Sequence, residues 1–281
     1  MSVAKNISNG KVTVQSFRKM KEKGQKISML TAYDYTMAKL VDQAGIDAIL
    51  VGDSAGNVMA GYETTLSVSL DEIIYHAKSV RRAVKNALLV VDMPFGTCSG
   101  DPIASLHNAI KIMRETGAEA LKIEGGEELL PDISKIIVAG IPVMGHLGLM
   151  PQSVHKYGGF GLRAKSDMEA QKLKADAKLL EQAGCFAVTL EKIPAALAEE
   201  IASSLTIPVI GIGAGQKVDG QVLVIHDMLG LNQDFLPKFV RSYAKLGETV
   251  TKAVSEYITD VKNSDFPSAS ESYERPAQEA V

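Results

Sequence analysis

An α/β chain closed into a (β/α)8 TIM barrel is the fold this sequence predicts, and three observations predict it. Short runs rich in Val, Ile and Leu alternate with longer amphipathic stretches, the pattern of parallel strands covered by helices on both faces. Eight such runs occur, over residues 27–33, 48–53, 87–92, 120–124, 141–146, 186–191, 207–212 and 221–226. Glycines fall where the intervening helices must release the chain, at Gly45, Gly117, Gly140 and Gly184, each shortly before the next strand.

Taken in order, residues 14–23 have helical spacing ahead of the first strand and are expected to form an N-terminal plug helix at the bottom of the barrel. Ser69, followed by Asp71 and Glu72, opens a later helix with an N-cap and first-turn acids. Gly158-Gly159-Phe160-Gly161 reads as a loop after the fifth strand and a candidate lid. The step over residues 213–220, from the seventh run to the eighth, is too short for a crossover helix, so that unit is expected to be degenerate. Residues 237–261 read as one or two C-terminal helices, with Phe239, Val240, Leu246, Val250, Val254 and Ile258 near helical periodicity. Ser, Glu and Pro dominate from residue 263 onward. The expected organisation is one catalytic barrel with its terminal helices over 1–266 and a flexible tail over 267–281.

A formal net charge of -3, with the basic residues scattered, provides no electrostatic footprint for nucleic acid or an anionic membrane. Residues 1–10 lack the apolar core of a signal peptide, and no run approaches the roughly 20 apolar residues that span a bilayer. A cytoplasmic location is therefore expected. Cys98 and Cys185 have no C-x-x-C partner, so two reduced thiols are expected rather than a disulfide framework or a zinc site.

The second, third and fourth runs each end in an acid: Asp53, Asp92 and Glu124. In a parallel sheet all three emerge on one rim, the rim where α/β barrels carry their chemistry. Three clustered carboxylates repel one another unless a cation joins them, and Mg²⁺ takes hard oxygen ligands while keeping positions for water or substrate. Without a His or Cys cluster, zinc is disfavoured. The same rim receives Ser54, Lys122, His146 and Glu191. Alternation places Lys122 and Glu124 on one side of their strand. Plainer roles stay open for each residue: strand-end acids often cap helices, Lys122 can pair with one of the acids, His146 can be a satisfied core histidine, and Glu191 can bind Lys192. Glu191 is nonetheless placed as a proton-abstracting enzyme needs a base outside the metal acids. Gly211-Ile212-Gly213-Ala214-Gly215 does not have the spacing of a dinucleotide fingerprint and is better read as backbone crowded against a neighbour or a tight turn.

Several segments together resemble the ketopantoate hydroxymethyltransferase family: Val51-Gly52-Asp53-Ser54, Asp92-Met93-Pro94-Phe95, Lys122-Ile123-Glu124-Gly125-Gly126, Gly145-His146-Leu147-Gly148-Leu149 with Pro151-Gln152-Ser153, and residues 207–215. The resemblance spans roughly residues 13–266 and implies a barrel of the phosphoenolpyruvate/pyruvate type. It also implies transfer of a hydroxymethyl group from 5,10-methylenetetrahydrofolate to 3-methyl-2-oxobutanoate, forming 2-dehydropantoate. By the same resemblance Asp53, Asp92 and Glu124 match a Mg²⁺ site with one ion per subunit, bound directly or through water. Asp53, Ser54, Asp92 and Lys122 match the surroundings of the 2-oxo acid, Glu191 the proton acceptor, and His146 a supporting hydrogen-bond position. A homo-oligomer, commonly a homodecamer, is implied too. The alternative reading is a Mg²⁺-dependent lyase or mutase acting on another 2-oxo acid, which would be expected to carry a different active-site loop, often with a nucleophilic cysteine.

Overall fold

Eight parallel strands close in chain order in the computed structural model, which describes residues 10–233 and 236–274. They are β1 (Ile27–Thr31), β2 (Ala48–Val51), β3 (Leu88–Asp92), β4 (Ala120–Glu124), β5 (Val143–Gly148), β6 (Ala187–Glu191), β7 (Val209–Ile212) and β8 (Gly220–Leu223). β8 pairs back onto β1. The described residues form two compact units, one running to Ile225 and including Lys238–Val240, the other comprising His226–Pro237 and the chain from Arg241.

The barrel interior is a single apolar cluster in which alternate residues of neighbouring strands point inward, among them Met29, Leu50, Val90, Met144, Ile210 and Val222. Phe17 closes the lower end. Its helix, Val14–Glu22, starts in a capping box between Thr13 and Ser16, and Phe17 is fully buried with its ring edge-on to Phe186 at 5.7 Å. Lys21 pins the same helix by donating to the carbonyls of Ala202 and Ile207, each at 2.9 Å, and pairing with Asp219 at 2.8 Å. The expected plug is therefore present.

The glycine punctuation holds as well. Gly117 and Gly184 cap their helices in the left-handed conformation, at φ 69° and 97°. Ser69 caps helix Leu70–Ala83 through a reciprocal box with Glu72. No crossover helix joins Ile212 to Gly220.

Every strand but β4 differs at one end or both from the sequence expectation, as β1 ending at Thr31 and β7 starting at Val209 do, and three departures have a visible cause. β5 begins at Val143 rather than 141, because Pro142 has no N–H to give a ladder, and it continues to Gly148. β8 covers Gly220–Leu223 rather than 221–226: the Ile225 N–H turns to the Thr31 hydroxyl at 3.0 Å, and a one-turn helix, Ile225–Met228, follows. At the C-terminus a single helix, Leu246–Asn263, replaces the expected start at 237. The preceding segment bonds across the chain instead, Tyr243 N–H to the Met228 carbonyl and Leu246 N–H to that of Leu229, which removes the i−4 ladder a helix needs. Residues 1–9 and 275–281, part of the signal-peptide and tail expectations, lie outside the described residues. Among the described residues no helix is long and apolar enough to cross a membrane.

Candidate active site

Register sets the site. Across the β3–β4 ladder Asp92 lies opposite Lys122, across β4–β5 Glu124 lies opposite His146, and across β5–β6 Gly148 lies opposite Glu191. Strand alternation turns Lys122, Glu124 and His146 to one side, so the paired residues become one cluster at the strands' C-terminal ends. Lys122 Nζ reaches Asp92 Oδ1 at 2.7 Å and His146 Nδ1 at 3.2 Å. His146 stands between two acids, with Nδ1 3.4 Å from Glu124 Oε1 and Nε2 3.3 Å from Glu191 Oε2.

Asp53 arrives from the turn after β2. Its N–H donates to Asp92 Oδ2 at 3.0 Å. A Cβ on the intervening Gly52 would lie 2.9 Å from Ser54 Oγ and 3.2 Å from Asp92 Oδ2, so this close approach demands glycine. Ser54 Oγ shares a 2.8 Å hydrogen bond with the hydroxyl of buried Tyr33. All seven residues singled out in the sequence therefore gather on one rim.

Two residues were not assigned a role from sequence. Gln152, in the Pro151–Ser153 turn after β5, donates from its side chain to Asp53 Oδ2 at 2.8 Å and to the Met93 carbonyl at 3.0 Å, while its N–H donates to Glu124 Oε2 at 3.0 Å. Tyr33 is the other. A polar residue in a rim loop is a weak signal for the first, and a hydroxyl-bearing residue just past β1 for the second. The plainer alternative for Lys122, an ion pair with one acid, is present as its contact to Asp92. The alternative for Glu191 is replaced: Lys192 Nζ donates to the Phe160 carbonyl instead.

Electrostatics explain why these groups need one another. Burial raises Asp53 well above the ordinary carboxylate range, and the charges of Asp92 and Glu124 push it further. Burial also raises Asp92, although Lys122 pulls the other way. Glu124 goes down: burial opposes its charge, but His146, Lys122 and the Gln152 N–H outweigh burial. For Lys122, burial favours the neutral amine, and the surrounding carboxylates overcome it and hold the ammonium more firmly than usual. Burial and the Lys122 charge depress His146, yet Glu124 and Glu191 lift it to about 9. The imidazole therefore carries a proton on both nitrogens at neutral pH, and its Nδ1 contact with Lys122 is a near approach of two cations tolerated by the acids around them.

The cluster also fits a divalent cation. Asp92 Oδ1 and Glu124 Oε1 are buried oxygens that meet only the cationic side chains beside them, Lys122 and His146. With all four carboxylates ionised and both Lys122 and His146 charged, the site is short by two positive charges. The acidic donors are all hard oxygens, which suits Mg²⁺ and not zinc. Among the described residues no three His, Cys, Asp or Glu side chains form a ready-made cage. Mg²⁺ does not need one, since it binds through one or two carboxylates and fills its octahedron with water and substrate oxygens.

Comparison with known proteins agrees in sequence and in fold. The family model described as ketopantoate hydroxymethyltransferase matches residues 11–269. A 3-methyl-2-oxobutanoate hydroxymethyltransferase of Flavobacterium johnsoniae is 61% identical over 273 residues, 97% of this chain and 100% of that protein. One from Bacteroides thetaiotaomicron is 63% identical over 263 residues, covering 94% and 96%. Among solved structures, phosphonopyruvate hydrolase in complex with oxalate and Mg²⁺ superposes with a TM-score of 0.60 at 14% identity, covering 92% of this chain and 93% of that one. For 2,3-dimethylmalate lyase, of the PEP mutase/isocitrate lyase superfamily, the TM-score is 0.57 at 17% identity, with 94% and 90% covered. These structural likenesses speak to the barrel alone, whereas the sequence matches run over nearly the full length of the chain: this chain belongs to the ketopantoate hydroxymethyltransferase family.

Proposed function

We propose that the chain transfers a hydroxymethyl group from 5,10-methylenetetrahydrofolate to 3-methyl-2-oxobutanoate through an enolate, forming 2-dehydropantoate for pantothenate biosynthesis. The observation that carries this reading is the buried cluster in which Lys122, Asp53, Asp92 and Glu124 sit beside a fourth, more open carboxylate, Glu191. In it Asp53 and Asp92 would hold one Mg²⁺, with Glu124 as a further ligand or a partner through water. Bound there, the cation supplies Lewis-acid stabilisation of negative charge on the substrate's 2-oxo oxygen.

The protein's own groups do the rest. Ser54, oriented by Tyr33, and the Lys122 ammonium bind the 2-oxo acid at the end of the barrel where Asp53 and Asp92 converge. Glu191 takes the C3 proton. Its side chain is 15% exposed against 3% for Glu124, so a substrate reaches it and the metal acids stay enclosed. His146 holds the Glu191 carboxylate from the side opposite Glu124. The C3 carbon then bonds to the folate methylene carbon as that carbon's bond to N10 breaks, water replaces N5 on the same carbon to leave the hydroxyl, and the proton from C3 and one from water pass to the two nitrogens of the departing tetrahydrofolate.

A lyase or mutase with a nucleophilic cysteine is less well supported. Cys98 and Cys185 are both free, and burial pushes each thiol up to about 12, far from a reactive thiolate. The reading also includes a cytoplasmic homo-oligomer, a homodecamer by resemblance, in which a single catalytic barrel spans 1–266 and residues 267–281 form a tail. An exposed apolar stripe on helix Leu246–Asn263 supports self-association.

The test is proton exchange. The protein is incubated with Mg²⁺ and 3-methyl-2-oxobutanoate in deuterated water without folate, and the C3 proton is followed by NMR. Metal-dependent loss of that signal is expected. No loss while the substrate is demonstrably bound would sink the reading.

A further inference from the structure

On the outer side of β5, between its end and helix Asp167–Ala183, lies a cavity of about 200 Å³. Leu147, Met150, Tyr157 and Leu173 line its apolar part; Arg163 and Glu169 line its polar part, with Glu128, Lys156, Lys172 and Asp176 adding further charge around it. Leu147 alternates with inward-facing His146, so the cavity lies on the outer side of the strand, at the rim.

The polar edge is held from several directions. The Arg163 guanidinium lies 3.9 Å from the Tyr157 ring centroid and pairs with Glu169. Its backbone N–H donates to the Lys192 carbonyl at 2.9 Å, and both Ala164 and Lys192 are in the left-handed region, at φ 54° and 48°. Non-glycine residues keep that conformation only where their surroundings impose it. Yet Arg163 Nε is buried and has no hydrogen-bond acceptor among the described residues. A buried donor without an acceptor is uncommon in a native protein and marks a place where a ligand atom is expected.

A carboxylate beside an unshared N–H, next to the aromatic face of Tyr157 and the side chains of Leu147, Met150 and Leu173, is complementary to a ring edge with two donors next to one acceptor. The 2-amino-4-oxopteridine ring has such an edge: its amino group and ring N–H face a carboxylate, and its oxo group faces an N–H. Position agrees with chemistry. Met150 and Tyr157 flank the turn whose Gln152 binds Asp53 and Glu124, and Gly148 pairs with Glu191 across β5–β6. A ring seated here lies within one loop of the acids, where its attached one-carbon unit has to be delivered.

We propose that this cavity seats the pteridine ring of the reduced folate, with Glu169 accepting from the ring's donors and Arg163 Nε donating to its oxo group; the inference rests on the folate-dependent reading above. The experiment separates the two. Tetrahydrofolate binding is measured by calorimetry for the unaltered enzyme, Arg163→Lys, Glu169→Gln and Met150→Phe, and folate-independent C3 exchange is followed in the same samples. Each variant is expected to weaken tetrahydrofolate binding by about tenfold or more, the worth of a charge-assisted hydrogen bond, and to leave exchange within about twofold. Retained exchange also reports an intact barrel. Met150→Phe narrows the cavity while leaving both members of the Arg163–Glu169 ion pair in the sequence, so its loss of binding would not come from removal of that pair. Unchanged folate affinity in all three variants would overturn the cavity assignment and leave the enolate reading standing. Absent exchange in the unaltered enzyme would do the reverse. 6-Methyltetrahydropterin is expected to compete for the site and p-aminobenzoylglutamate is not; the opposite order would overturn the ring assignment.

Discussion

Glu191 and Gln152 show how much depends on single side chains at this rim. For Glu191 the prediction is direct: Glu191→Gln keeps the size and one acceptor but no longer takes a proton, so 3-methyl-2-oxobutanoate affinity is retained and C3 exchange falls by about 10²-fold or more. Normal exchange by that variant would remove Glu191 as the base. Gln152 acts at one remove. Both protons of its amide are committed, one to Asp53 Oδ2 and one to the Met93 carbonyl, so it fixes which Asp53 oxygen remains for a cation. Partners of metal ligands commonly cost about 10–100-fold in metal affinity when removed, and Gln152→Leu is expected to weaken Mg²⁺ binding in that range by calorimetry. The acids were legible from sequence because a strand end is a local feature. Gln152 was not, because its meaning lies in a contact 99 residues away along the chain.

At the scale of elements, strand and helix identities followed from patterns that repeat along the chain, and the departures came where another group competed for a backbone bond. Pro142 delays β5, and the Thr31 hydroxyl ends β8 by drawing off the Ile225 N–H. The same competition supplies a stability prediction at Glu181, near the end of helix Asp167–Ala183. Burial alone would raise its carboxyl, but Lys178, the Thr206 N–H and hydroxyl, and the Ile207 N–H bring it down to about 2. Because the folded value lies below the unfolded one, the stabilisation is fully present above about pH 4.5 and is lost as pH falls toward about 2. Glu181→Gln is expected to cost about 1–3 kcal/mol in urea unfolding at pH 7, the range for hydrogen bonds to a charged group. The gap between the two proteins narrows as the pH is lowered from about 4.5 toward about 2. A gap independent of pH would mean that Glu181 contributes through packing and not through charge.

For the whole molecule, the sequence carried the barrel but not what surrounds it. The periodicity of residues 246–261 announces an amphipathic helix without saying what covers its apolar face. The structure leaves that face open: Val250, Val254, Tyr257, Ile258 and Val261 fall on one stripe at helical spacing, and each is between 44% and 55% exposed. Scattered exposed apolar residues need no explanation, but a continuous stripe along an 18-residue helix is costly to keep in water and marks an interaction surface. Under the proposed self-association a second copy of the chain covers it. Burying a Val or Ile side chain is worth about 2 kcal/mol, so Val254→Glu together with Ile258→Lys is expected to weaken assembly by about a thousandfold. Sedimentation velocity of the unaltered protein should then give a mass several times that of one chain, and the double variant should shift toward the monomer. A monomeric mass for the unaltered protein, or an assembly that survives both charges, would show that this helix is not what joins the subunits.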